Sequence, residues 1–126
     1  MTMSEEALAF DRHLDATAPA VAQIARALRL TVLEGFPEAV ETFDRADGLL
    51  AIGRGRSMRD FLFAIIPHTS HVNLQLADGV ELPNPDRRIE GTGKRIRHVK
   101  VRSVEDAQAP WLRAAIAAQT AYRAGA

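Results

Sequence analysis

His71–Ser103 reads HVNLQLADGVELPNPDRRIEGTGKRIRHVKVRS. Its first residues alternate strictly. Val72, Leu74 and Leu76 point one way while His71, Asn73 and Gln75 point the other, the period of a strand with one buried face. Asp78-Gly79 then signals a turn. At the far end Arg97–Arg102 alternates again, with Val99 and Val101 inward and His98, Lys100 and Arg102 outward. If the two strands pair, that basic row lies beside Asn73 and Gln75.

Working back towards the N-terminus, Phe61–Ile66 is a continuous apolar run, too short for a helix and suited to a central or doubly buried strand. Leu49–Gly53 reads as a further short strand, and Arg54–Ser57 as a turn centred on Gly55. Pro19 is placed to start a helix, with Val21, Ile24, Ala25, Leu28 and Val32 forming one apolar stripe; Gly35 and Pro37 stop it. Glu38–Phe43 adds a further helical turn in this reading. Ser4 caps an earlier helix towards Leu14, with Glu5 and Glu6 in its favourable first turn.

Towards the C-terminus, Ser103 and Asp106 have capping-box spacing. Pro110 fits the first turn of a terminal helix whose apolar face combines Trp111, Leu112, Ala115, Ile116, Ala118 and Tyr122. Helices, then strands, then a helix predict an α+β two-layer sandwich: an antiparallel sheet of four to five strands packed against N- and C-terminal helices. Short links between successive strands favour a meander, because parallel pairing needs long crossovers.

A chain of 126 residues with no cysteine fits one domain over 1–126 that needs no disulfide and has no thiolate for metal binding or nucleophilic attack. Formal charge is balanced, so bulk electrostatics give no reason to expect nucleic acid. The charges are nevertheless segregated. Met1–Leu50 holds nine acids against four arginines, and Asp86–Arg102 holds seven basic residues against two acids. The N-terminus carries acids where a secretion signal needs positive charge, and no apolar run could span a bilayer, so a cytoplasmic location without membrane contact is expected.

Gly91-Thr92-Gly93-Lys94 is the sharpest candidate site. Two glycines free the backbone to aim amides at an anion, and Lys94, Arg95 and Arg97, with Arg88 nearby, supply charge. Arg88 stands where a P-loop would need its first glycine, and a strand rather than a helix follows, which excludes a dinucleotide fingerprint. A tight entry turn into the last strand would use the same residues. His68 and His71 are spaced to share a metal, but no cysteine and no adjacent acid completes a ligand set. Ser57, Ser70 and Ser103 lack a nucleophile elbow. The basic sheet face lacks interleaved aromatics for stacking on bases, and reads as a solvated or dimer-forming surface.

Several of these pieces together carry a resemblance. Phe36-Pro37-Glu38-Ala39, His71-Val72-Asn73-Leu74, Leu82-Pro83, and Glu90-Gly91-Thr92-Gly93-Lys94 leading into Arg97-His98-Val99-Lys100 follow in the order and spacing of the YdhG-like family. From about Pro37 onward, most strongly over 36–123, the chain resembles these small bacterial domains of unknown function. The resemblance implies the same two-layer fold and supplies no catalytic residues. One branch is labelled a frataxin-like intracellular iron chaperone, which makes metal delivery the alternative function. The chain departs from the family pattern at Gly53-Arg54-Gly55-Arg56-Ser57-Met58, where many members carry Gly-Met-Pro. It also has Asn84 after the proline in place of the usual acid, and Arg87-Arg88 where small residues are common. These changes enrich basic surface and remove acids. The expectation is a non-catalytic binding domain without a cofactor, taking a small anionic ligand or a protein partner.

Overall fold

A computed structural model describes residues 3–125. Helix α1 spans Glu5–Leu14, and the Ser4 hydroxyl accepts the Ala7 N–H at 3.0 Å. Helix α2 spans Pro19–Gly35 and buries Val21, Ile24, Ala25, Leu28 and Val32, the apolar stripe that its spacing predicts. Five strands follow: β1 Val40–Asp44, β2 Leu49–Gly53, β3 Phe61–Pro67, β4 Val72–Leu76 and β5 Arg97–Val101. A short helix α3, Val104–Gln108, leads into the terminal helix α4, Pro110–Gly125.

The strands form one antiparallel sheet in chain order. This is the expected meander, and with its flanking helices it is an α+β two-layer sandwich. The register aligns Leu50, Ile65, Leu74 and Val99 in one cross-strand row and Ile52, Phe63 and Leu76 in the next. Both rows face the helices and join Phe10, Leu28, Phe36, Leu112 and Ile116 in one core. Ile52 pairs with Phe63 and Gly53 with Phe61, which leaves Leu62 as a bulged extra residue. A bulge rotates neighbouring side chains towards the same face. Leu62 and Phe63 are accordingly both fully buried.

The turn expected over Glu38–Phe43 is not helical. Its residues from Val40 onward form β1. Pro37 has no N–H and forces Phe36 out of the helical region, where it sits at φ −142°. Val40, Thr42 and Phe43 favour strand. Glu41 hid the alternation, because it is an acid pointing into the core side. It is only 8% exposed and is held by the Arg29 guanidinium through bonds of 2.6 and 2.9 Å, with the Ser4 hydroxyl donating at 3.1 Å.

Both sheet edges are closed by side chains or loops, as edge strands require. On β1 the Phe43 N–H donates to Glu6 at 3.1 Å. On β5, His98 exchanges backbone bonds with Glu90, and the Arg102 N–H donates to the Asp106 carboxylate. Asp106 therefore reaches past Ser103, whose hydroxyl caps the Asp106 N–H at 3.0 Å. No helix among the described residues is long and apolar enough to cross a membrane.

Candidate binding site

The connection from β4 to β5 is long, and it shapes the surface beside α4. Asn84 acts as a clasp, with its side-chain amide donating to the Ile89 carbonyl at 2.8 Å and accepting the Ile89 N–H at 3.0 Å. Ile89 and Leu82 anchor the loop in the core. Two prolines stiffen the segment between them, and Arg87 takes φ +57° to close it. Between this loop and α4 lies a cleft of about 240 Å³, walled by Pro83, Pro85, Ile89, Trp111, Ala115 and Ala118. The alanines leave the space that larger side chains would fill. At its mouth the Arg88 guanidinium lies 4.2 Å above the Trp111 ring, a cation–π contact, and Asp86 also reaches the rim.

The Gly91–Lys94 turn gives most of its residues internal work. Gly91 has φ +124°, which favours glycine. A Cβ on Gly93 would sit 2.5 Å from the Ile96 carbonyl oxygen, so the close approach also requires glycine. The Arg97 guanidinium donates to the Gly93 carbonyl at 2.7 Å. Arg95 bonds to the Asp78 carboxylate. Thr92 and Lys94 are exposed, and Lys94 is the turn's one cation without an internal partner among the described residues.

Asp78 was legible only as a turn residue, yet it is a buried centre. It is 1% exposed. Gln119 on α4 accepts its N–H at 2.7 Å and donates to its carboxylate at 2.7 Å, and Arg123 donates twice at 2.7 and 3.1 Å. Burial pushes the Asp78 carboxyl up, but hydrogen bonds from Arg95, Gln119 and Arg123 outweigh it and hold the group below the usual aspartate value. One sequence signal existed. Leu112, Ile116, Gln119 and Arg123 share one helical stripe, and a polar pair continuing a buried stripe needs a polar partner.

On the outer sheet face the expected pairing is present, Asn73 opposite Lys100 and Gln75 opposite His98. The row is less basic than its sequence, because Glu90 lies 3.3 Å from Lys100 and 3.5 Å from His98. His68 and His71 stack with ring centroids 4.8 Å apart and planes 15° from parallel. Imidazole lone pairs lie in the ring plane, so stacked rings aim them side by side rather than at one ion. Burial first, then the charges of His68 and Lys100, lower the His71 pKa. Among the described residues no three histidine or acidic side chains converge as a metal set.

No protein-family model, curated protein or solved structure matches the chain.

Proposed function

We propose that the domain is a binding module for a small anion with an apolar body. The observation that carries this reading is Arg88 fixed over Trp111 at the mouth of an apolar cleft of about 240 Å³. Binding sites characteristically combine apolar walls with a few placed polar groups, and drug-sized ligands occupy roughly 300–1,000 Å³. The cleft therefore suits a smaller molecule, its apolar part against Trp111 and the alanines. Its acid group would meet Arg88. Lys94 does not line the cleft, and Arg95 and Arg97 are already engaged elsewhere.

Trp111 is the only tryptophan, so its fluorescence reads the cleft directly. Titration with a series of small arylalkyl carboxylates should give saturable quenching that weakens about tenfold or more in Arg88→Ala, the scale of one charge-assisted hydrogen bond. Lys94→Ala should change affinity far less. Loss in Lys94→Ala with Arg88→Ala unaffected would move the anion to the Gly91–Lys94 turn; no quenching by any carboxylate would end the reading. Metal delivery, the alternative implied by the resemblance, is tested by anaerobic calorimetry with ferrous iron. Saturable binding abolished by replacing His68 and His71 together would favour it.

A further inference from the structure

Gly53 pairs with Phe61 and Leu76 with Arg97, so the β2–β3 and β4–β5 connections leave the sheet at the same end. Two basic segments distant in sequence, Arg54–Arg59 and Lys94–Arg97, thereby meet beside the last turn of α4. Arg123 ties them together. It donates to the Arg59 carbonyl at 3.1 Å and holds Asp78, which Arg95 also holds. The two connections and the end of α4 carry Arg54, Arg56, Arg59, Lys94, Arg95 and Arg123 at this end, against Asp60, Asp78 and Glu81. Two of the three acids are internally occupied: Asp78 lies buried beneath its arginines, and Asp60 accepts the Ser57 hydroxyl at 2.8 Å. Arg54, Arg56, Arg59 and Lys94 are exposed, and among the described residues their side chains form no ion pair.

This basic end is also apolar. Met58 is 78% exposed, the most of any large hydrophobic side chain described, and Tyr122 and Ile96 stand open nearby. Met58, Phe61, Ala77 and Ile96 surround a depression of about 130 Å³ rimmed by Arg95 and Arg123. That is well under the roughly 300 Å³ at which drug-sized sites begin, and it has room for a single side chain. Methionine, tyrosine and arginine are the residues that protein interfaces concentrate.

We propose that this end of the domain docks an acidic segment of a protein partner. One apolar side chain of that segment enters the depression between Met58 and Ile96, while flanking carboxylates meet Arg54, Arg56, Arg59 and Lys94. Charge complementarity selects an anionic partner, and the apolar centre selects a peptide among anionic partners. Single-stranded nucleic acid stacks successive bases on several open aromatic faces, whereas Tyr122 is the one open aromatic side chain at this end among the described residues and Phe61 is partly covered. A bilayer would need several protruding apolar tips, whereas Met58 alone stands out strongly here, beside a concavity.

Selection from a random short-peptide display library against the full chain tests this. The expected consensus is a cluster of acids around one large apolar residue. Its binding should fall with added salt, because exposed charges are screened beyond about 8 Å at physiological ionic strength. Met58→Asp and the double variant Arg54→Glu/Arg56→Glu should each weaken the selected peptide by about tenfold or more. These side chains touch little, so the variants should keep the wild-type melting temperature. The proposal is overturned by a selection without consensus, by a consensus lacking acids, or by peptides that bind Met58→Asp as tightly as wild type. It is overturned equally if an oligonucleotide, an anionic vesicle or a second copy of the chain binds this end more tightly than the selected peptides, with Met58→Asp abolishing that binding.

Discussion

Asp78 places a carboxylate where water does not reach, and Arg95, Gln119 and Arg123 stand in for the lost hydration. Deleting the carboxylate leaves Gln119 buried without its partner and Arg123 largely buried, whereas Arg95 stays open to solvent. A buried group left without its hydrogen bond costs about 1–3 kcal/mol, more where it is charged. Asp78→Ala should lose about that much in a denaturant titration, with the slope of the transition unchanged. Lys94→Ala, on an exposed turn, should stay within about 0.5 kcal/mol of wild type. The contrast runs opposite to the weight that the sequence gives these residues. Gly91-Thr92-Gly93-Lys94 draws the eye because glycines and charge are adjacent, whereas Asp78 has partners 17, 41 and 45 positions away. Spacing within a motif is legible in one chain; convergence of remote side chains is not. The Trp111–Arg88 stack stayed hidden for the same reason.

Among the elements, those with unmixed periodicity were readable. β4 and β5 alternate cleanly, α2 keeps its stripe, and β3 is continuously apolar. β1 failed because an inward position holds Glu41, whose partner Arg29 lies on another element. The terminal helix is rotated from its apolar face for a related reason: Gln119 is fully buried and Tyr122 is 42% exposed, since the stripe continues to Asp78 rather than to more hydrophobic surface. The Arg29–Glu41 pair joins α2 to β1, with both side chains almost out of solvent. A buried pair is costly to break and inexpensive to replace whole. Arg29→Met or Glu41→Leu alone should therefore destabilise by about 3 kcal/mol or more, while the double substitution should recover most of the loss. A double-mutant cycle by thermal unfolding measures this directly, and additive losses would show that the pair contributes nothing through its charges.

At the scale of the whole molecule, strands adjacent in sequence are adjacent in the sheet, and one core runs through every layer. Such a domain should unfold in one step, so Trp111 fluorescence on α4 and far-UV circular dichroism should give coincident transitions. Asp78 couples that global transition to acid. Its folded pKa lies below the ordinary value of 3.8, so the unfolded chain binds the proton more readily. The stabilisation is therefore complete above 3.8 and is lost as pH falls through the lower, folded value. Asp78→Asn removes the titration while keeping the shape. The gap in unfolding free energy between wild type and Asp78→Asn should be widest near neutral pH and narrow progressively once pH drops below 3.8. A gap that stayed constant through that range would mean that Asp78 acts through its shape and neutral hydrogen bonds. The charge on the carboxylate would then have no part in holding β4, the Gly91–Lys94 turn and α4 together.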